Sequence, residues 1–250
     1  MSTTGKYRAP ALLKGLEILE LLARAPQPMP TSDISAALGR SVSELFRMLQ
    51  VLEETGYISR SGEGYRITNR LFSLGMAQPP VRDLLGQALP EMRALASATQ
   101  QSCHLAVASG AEIAVVATVE APGLLGFAVR MGYRRPLIQS ASGHILLAFQ
   151  SAAVRAEMLR ETRAARLAFD AGALDAQLAA IRAAGYVTMA SPMLTAITDV
   201  SAPVLADGAA VAALTMPFVT GAAARLPQDE ARDVLLATTA RLSAALDLAG

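Results

Sequence analysis

Three short amphipathic helix patterns followed by a β-hairpin pattern fill the first third of the chain, and this order constrains the fold most. In residues 11–25 (ALLKGLEILELLARA), apolar residues recur at helical spacing and predict one buried face: Leu12, Leu16, Leu19 and Leu22. Prolines at 26, 28 and 30 end this helix. The cluster Thr31-Ser32-Asp33 then offers N-cap residues to a second helix, which ends at Gly39.

A third helix is predicted to begin after Ser41, because Glu44 follows at the spacing of a capping box. Its expected buried stripe is Val42, Leu45, Phe46, Leu49 and Leu52. The β-prone runs 57–60 and 65–68 come next, and the turn sequence SGEG separates them. Two helices joined by a tight turn that contains glycine form a helix-turn-helix, and a hairpin directly after one is a wing.

The polar face of the third helix carries side chains that can bind DNA bases or phosphates. We expect this face to be the DNA-reading surface, with help from the wing and from a flexible N-terminal arm. The candidates are Arg40, Ser41, Ser43, Glu44 and Arg47 on the helix, Arg60 and Arg66 on the wing, and Arg8 on the arm. The alternative is a three-helix bundle whose polar face is merely solvated.

The overall charge hides an asymmetry between the two parts of the chain. The 250 residues carry 22 basic and 21 acidic side chains, a net charge of +1 that argues mildly against nucleic acid. Residues 1–78 hold nine basic and seven acidic side chains, whereas the remainder holds thirteen and fourteen. The N-terminal part is therefore modestly basic, and non-specific DNA binding is expected to be weak.

The rest of the chain mixes helix and strand patterns. Residues 79–100 predict a helical connector that Pro90 should bend or split. Beyond it, β-prone runs and helix patterns predict an α+β sheet domain. Strands are expected at 104–109, 112–120, 124–131, 186–189, 200–205 and 211–218, and helices at 142–149, 152–159, 175–184 and 227–248. The predicted organisation is a reader at 1–78, a linker helix at 79–100 and a second domain at 101–250.

Composition argues against several kinds of protein. The chain has one cysteine, no signal-peptide pattern and no apolar run of the roughly 18 residues that span a bilayer, so we expect a cytoplasmic protein without disulfides. Cys103 and His104 are strand neighbours and point to opposite faces, so they cannot form a nucleophile and base pair. With two histidines and no ligand-spaced cluster, we expect no metal, no cofactor and no catalytic residues. Arg134-Arg135 is interpreted as a solvated turn.

The ordered motifs resemble one known family. The N-terminal stretches LLKGLEILELLA, SVSELFRMLQVLEETGYI and GYRITNRLFSLG, and the later blocks HLAVASGAEIAVVATVEAPG, RPLIQSASGH, RAAGY and VSAPV, are similar to those of IclR-type transcriptional regulators. The resemblance implies a winged helix-turn-helix domain, a linker helix and a GAF-like effector-binding domain. It also implies a homodimer or dimer of dimers that binds a palindromic operator, as repressor or dual regulator of a catabolic pathway.

The resemblance also implies an effector pocket over one sheet face, with these contacts: Ser140, Ala141, Ser142, Gly143, Asp199, Ser201 and Ala202. A helix N-terminus near Ser140 favours an anion, and Leu125, Phe127 and Val129 on a preceding strand offer an apolar wall, which suits a small carboxylic or aromatic compound. His104 is either a pocket group or a satisfied strand histidine.

Two positions depart from the family. Asp199 stands where relatives often have cysteine, and His144 stands where they commonly have lysine. A pocket carboxylate repels an acid unless it is protonated, points away or binds a donor, so the effector could instead be neutral, hydroxylated or cationic. Asp199 could equally cap a turn. The alternative to a regulator is a small-molecule-binding or enzymatic module whose N-terminal bundle only dimerises.

Overall fold

The computed structural model describes residues 9–77, 79–122, 126–191, 194–220 and 225–248, with only the backbone described at 76 and 79–82. The chain divides into two compact units between Arg82 and Asp83.

The first unit contains the predicted helices and hairpin. Its elements are α1 (Pro10–Arg24), α2 (Thr31–Leu38), α3 (Val42–Glu54), β1 (Ile58–Ser61), β2 (Gly64–Ile67) and α4 (Arg70–Met76). The capping box is present, since the Ser41 hydroxyl accepts from the Glu44 N–H and the Glu44 side chain accepts from the Ser41 N–H. Gly39 ends α2 in the left-handed conformation that glycine adopts readily. The winged helix-turn-helix is confirmed.

Two details of α2 and the wing differ from the prediction. The N-cap of α2 is Pro30, so Thr31-Ser32-Asp33 lies inside the first turn and does not cap it. Met29 pairs with Tyr65 as an extra bridge beside β2. A side chain at Gly64 would place its Cβ 2.9 Å from the Met29 backbone, so this bridge requires glycine there.

The core of the first unit forms around α1 and α3. Ile18, Leu22, Leu45 and Leu49 are buried there, together with Ile34, Ile58 and Tyr65. Four residues predicted to be buried are instead exposed, namely Leu12, Leu16, Val42 and Phe46. Leu45 and Leu49 set the buried line of α3, and Phe46 lies one residue, about 100°, around the helix from Leu45. Position in a helical repeat therefore did not determine which apolar side chains meet the core.

The second unit is a six-stranded antiparallel sheet with helices on both faces. Its elements are α5 (Pro79–Thr99, entering from the first unit), β3 (Cys103–Ser109), β4 (Glu112–Val119), β5 (Arg134–Pro136), α6 (Ala141–Ala148), α7 (Ala152–Ala164), α8 (Ala171–Ala184), β6 (Val187–Ala190), β7 (Ile197–Ala206), β8 (Ala209–Val219) and α9 (Gln228–Asp247). The strand order is β5-β4-β3-β8-β7-β6. This two-domain α+β architecture is the predicted fold class.

Alternation along the strands divides the sheet into two faces. Val200, Ala202 and Val204 of β7 pack with Met92 of α5 and Leu235 of α9. On the opposite face a second cluster forms between the sheet and α6 and α8, around residues such as Val115, Ile145 and Leu178. The helices α5 and α9 thus cover one face, and the other face is left to α6, α8 and the cavity described below.

Two local predictions in this unit are wrong, and a third is narrowed. The sequence predicts that Pro90 bends or splits α5, and the helix is not split there. Pro90 and Gly86, whose carbonyl loses its helical partner, both lie on the exposed side of the helix, where water can replace the bond. Residues 126–131 are irregular, and the remaining part of that predicted strand, which includes Leu125, lies outside the described residues. Arg134 and Arg135 belong to the short strand β5 and not to a turn.

Within the described ranges, no helix combines the length and apolar character needed to cross a membrane.

Candidate functional site

The exposed face of α3 carries two polar side chains that have no polar partner among the residues that the structure describes. Ser43 and Arg47 are exposed, and neither side chain makes a hydrogen bond or ion pair within the described part of the chain. They lie four residues apart and so project from the same side of the helix. This pair is what the described structure offers on α3 for hydrogen bonding to DNA.

Three other predicted DNA contacts are held inside the unit. Arg40 forms a two-point ion pair with Glu17 of α1, with its Nε 3.0 Å from Oε2. Glu44 accepts from Lys14 of α1 at 2.9 Å as well as from Ser41. The hydrogen bond from Lys14, followed by that from the Ser41 N–H, lowers the pKa of Glu44 to about 2. These groups tie the start of α3 to α1, which orients the exposed face.

Of the two wing arginines, one has internal partners and the other is exposed. The guanidinium of Arg60 donates to the Tyr65 hydroxyl at 2.7 Å, stacks over the Tyr65 ring and lies 3.4 Å from a Glu53 carboxylate oxygen. Arg66 on β2 is exposed and has no such partner among the described residues. Arg8 lies outside the described residues.

The second unit contains a cavity of about 220 Å³ over the sheet face that α5 and α9 leave open. It brings together six residues predicted from the sequence: His104, Phe127, Val129, Ser140, Ala141 and Asp199. An engineered cavity of about 150 Å³ is enough to bind benzene, so this one has room for a single substituted ring.

Four other predicted contacts do not line this cavity. The hydroxyls of Ser142 and Ser201 both bind the Thr215 hydroxyl, at 2.8 and 2.7 Å, and all three residues are buried. This hydroxyl chain fastens the start of α6 to β7 and β8. Ala202 points into the opposite face of the sheet. Gly143 packs on Leu137 so closely that an added Cβ would lie 2.1 Å from the Leu137 carbonyl oxygen.

The cavity also contains residues that the sequence did not reveal: Arg130, Tyr133, Arg135, Gln139 and Met189. Arg135 reaches it because β5 pairs with β4, with Arg135 opposite Ile113. β5 and β7 are four places apart, which is about 19 Å in a flat sheet. Because Arg135 and Asp199 nevertheless line one cavity, the sheet is curled around it. No local sequence pattern around residues 130–139 predicts that Arg135 and Asp199 line the same cavity.

Burial sets the charge state of the cavity's two titratable side chains on β3 and β7. Burial raises the pKa of Asp199 to about 6, and the Arg135 guanidinium partly offsets that rise. Burial lowers the pKa of His104 to about 4, so its ring is neutral at neutral pH. The Nδ1 atom of His104 is buried and has no hydrogen-bond partner in the described structure.

The start of α6 gives the cavity its electropositive corner. Ser140 is the N-cap of α6, and its hydroxyl accepts from the Gly143 N–H at 3.1 Å. The N–H groups of Ala141 and Ser142 precede the first helical hydrogen bonds and have no partner within the helix. These N–H groups carry a partial positive charge, so such a site favours an anion. The Thr118 hydroxyl holds the facing loop by donating to the Val129 carbonyl at 2.7 Å.

The remaining reactive side chains are placed for packing and not for chemistry. Cys103 faces α5, where its thiol approaches the Met92 carbonyl oxygen at 3.5 Å, and burial raises its pKa to about 12. Cys103 and His104 lie on opposite faces of the sheet, as predicted. His144 binds the Ile138 carbonyl through Nε2, and burial lowers its pKa. The described residues contain no group of metal-ligating side chains.

Comparison with known proteins assigns both units. The profile of the IclR helix-turn-helix domain matches residues 11–62, and that of the bacterial transcriptional regulator IclR C-terminal domain matches residues 80–247. The chain belongs to the IclR family. As an IclR-family protein it is a DNA-binding transcriptional regulator that responds to a ligand, and it is not an enzyme.

Individual IclR-family proteins resemble the chain along nearly its whole length. The transcriptional repressor AllR of Klebsiella pneumoniae is 29% identical over 250 residues, covering 96% of this chain and 91% of AllR. An IclR homologue from Microbacterium hydrocarbonoxydans, solved with 4-hydroxybenzoate, superposes with a TM-score of 0.76 at 22% identity, covering 95% of this chain and 99% of that chain. Pseudomonas aeruginosa HmgR gives a TM-score of 0.72 at 26% identity, covering 94% of this chain and 98% of HmgR.

Proposed function

We propose that this IclR-family regulator represses a catabolic pathway by binding an inverted-repeat DNA site, and that a small organic effector in the cavity of the second unit changes its hold on that site. The observation that carries the proposal is a cavity of about 220 Å³ that is lined by Phe127 and Val129 and by Ser140 at the start of α6. Repression is supported by the relative AllR, which is a transcriptional repressor. The site of action would be the cytoplasm, where the DNA is.

DNA recognition is assigned to α3 and the wing. Arg47 and Ser43 would contact base edges from α3, while Arg66 and the arm residue Arg8 would contact phosphates. Arg40, Ser41, Glu44 and Arg60 would act indirectly, since their internal bonds fix the angle at which α3 and the wing are presented. Phosphate contacts would make the affinity fall steeply with salt.

For the effector we propose a ring of benzoate size that bears an anionic group and a hydrogen-bond donor. The anion would lie at the start of α6 by Ser140 and Ala141, and Phe127 and Val129 would contact the ring. The donor would satisfy Asp199, which also lines the cavity. The Microbacterium homologue binds 4-hydroxybenzoate, a compound with both groups, and this supports the choice.

The proposed coupling runs through α5. This 21-residue helix begins at Pro79, before the boundary between the units, and its later part, with Met92 and Leu95, is buried under the sheet. Residues 79–100 would therefore act as the linker helix that transmits a change in the cavity. Such a change requires an effector that binds one arrangement of the reading heads better than the other.

Two reading heads require at least a dimer, and the first unit offers an apolar surface for it. Leu12, Leu16, Val51 and Leu71 are exposed and line one groove between α1, α3 and α4. An exposed apolar groove of this kind marks an interaction surface. We expect Leu12→Glu to shift the protein toward monomer in light scattering and to weaken operator binding, whereas Glu20→Gln on the same helix leaves both unchanged. An unaltered mass for Leu12→Glu would contradict this assignment.

The effector assignment is tested by thermal shift with 4-hydroxybenzoate and its uncharged analogue 4-hydroxybenzamide. The parent should be stabilised more by the acid. Asp199→Asn should change the preference among hydroxylated and non-hydroxylated benzoates without changing DNA affinity when no ligand is present. Identical ligand profiles for variant and parent would make Asp199 structural, and no stabilisation by any of these compounds would exclude this ligand class.

A further inference from the structure

Two apolar side chains of α3 are exposed, although the sequence predicts them to be buried. Phe46 is 56% exposed and Val42 is 46% exposed. They are four residues apart and therefore lie about 40° apart around the helix. Beside them, four residues apart as well, are Ser43 and Arg47, whose side chains the described structure leaves unused.

The pair does not belong to the apolar groove of the first unit. The groove takes Met48, Val51 and Leu52 from α3. Met48 lies about 160° around the helix from Phe46, and Val51 lies about 140° away. A second copy seated in the groove would therefore leave Phe46 exposed. Phe46 is therefore available for a contact outside the groove.

Internal bonds leave few polar side chains of this helix available to contact DNA. Arg40 and Glu44 are paired with Glu17 and Lys14 of α1, and Gln50 donates to Glu54 at 2.9 Å. The first two turns of α3 thus present Val42, Ser43, Phe46 and Arg47. The N-terminal part of the second helix in a helix-turn-helix is the part that contacts base edges.

In the major groove, the apolar group that a base presents is the C5 methyl of thymine. Resting on the proposed function, we infer that Phe46, with Val42 beside it, contacts a thymine methyl in each half of the operator and so selects thymine at that position. Arg47 and Ser43 supply the neighbouring polar contacts. Phe46 is then a specificity-determining residue, and hydrogen bonding alone does not define the site.

Replacing thymine by deoxyuridine tests this directly, because it removes the methyl group and leaves the base pair intact. The full-length protein first selects its site from a library of random duplexes. Each thymine of the selected duplex is then replaced in turn, and binding is measured by fluorescence anisotropy. Burying one methyl group corresponds to about a fourfold change in Kd. We expect a loss of about fourfold at one thymine in each half-site and about sixteenfold when both are replaced.

Three variants complete the test. Phe46→Ala should bind the thymine and uracil duplexes equally, whereas Phe46→Leu, which keeps an apolar contact, should still distinguish them. Phe72→Ala, which removes another exposed phenylalanine, from α4, should discriminate like the parent. Light scattering of Phe46→Ala should show the mass of the parent.

The outcomes separate the inference from the proposed function. A parent protein that binds every uracil duplex as tightly as the thymine duplex overturns the inference, and so does a Phe46→Ala variant that keeps the parent's discrimination. A changed mass for Phe46→Ala would assign the residue to self-association and overturn it as well. A library that yields no enriched duplex refutes the proposed DNA site itself.

Discussion

Replacing Asp199 by Asn should stabilise the second unit at neutral pH and leave it unchanged in acid. The carboxyl lines the cavity and is mostly removed from water, and burial raises its pKa from 3.8 to about 6. A difference of this size corresponds to about 3 kcal/mol of free energy, an upper value because part of the group is still exposed. Asparagine has no charge to desolvate and avoids this cost.

The sign follows from proton binding. Between about pH 4 and pH 6 the folded protein keeps a proton on Asp199 that the unfolded chain has released, so this carboxyl lowers the free energy of unfolding as the pH rises through that interval. Above pH 6 both states are ionised and the cost is constant. The stability gained by Asp199→Asn should therefore grow by about 2 to 3 kcal/mol from pH 4 to pH 7.

Urea unfolding followed by far-UV circular dichroism at pH 4, 5, 6 and 7 measures this difference. His104 acts in the opposite direction, because its lowered pKa removes stability as the pH falls below 6.5, but it is present in both proteins and cancels to first order. Asp175→Asn, on the exposed surface of α8, is the matched control and should show no such trend. An Asp199→Asn gain that does not vary with pH would refute the argument.

Other predictions concern the reading face and the buried thiol. Arg47→Ala should reduce the difference in binding free energy between the selected site and scrambled DNA by about 1 to 3 kcal/mol. Arg66→Ala should weaken binding to every DNA sequence alike and reduce the slope of log K against log salt concentration by about 1. Anisotropy titrations at several salt concentrations distinguish the two variants, and equal behaviour would contradict the assignment. Lys14→Met should raise the pKa of Glu44 from about 2 toward 4.5 in an NMR titration. An unchanged pKa would show that Lys14 does not cause the lowered value. Cys103, with a pKa of about 12, should react with Ellman's reagent at pH 8 only in urea, and prompt reaction of the folded protein would disprove its burial.

Local chemistry explains why much of the fold is predictable. The Ser41 and Glu44 capping box, the left-handed Gly39 and the hairpin turn each act over a few residues, so their sequence patterns are sufficient. Phe46 was misplaced because a helical repeat gives the direction of a side chain but not the neighbour that covers it. The side chains of α3 that are fully buried in the core are Leu45 and Leu49, and Phe46 lies beside that line.

The cavity was predictable in part, from two sequence blocks and from the apolar pattern of Phe127 and Val129. Ser140 and Asp199 stand at these blocks and line the cavity. Arg135 arrives through the pairing of β5 with β4, and the curl of the sheet brings it toward Asp199. Ser142 and Ser201 were predicted as contacts, yet Thr215 takes up both hydroxyls. Which side chains line the cavity depends on contacts between residues that are far apart in the sequence, and local sequence patterns do not show these contacts.

An effector in the cavity should alter the affinity of the protein for DNA, and a titration measures this. The full-length protein is bound to its selected duplex, 4-hydroxybenzoate is added, and anisotropy is recorded for the parent and for Asp199→Asn. We expect the ligand to change the Kd of the parent for DNA severalfold and Asp199→Asn to shift the ligand concentration that is required. If the acid binds, as shown by calorimetry, while the Kd for DNA stays the same, the claim is contradicted.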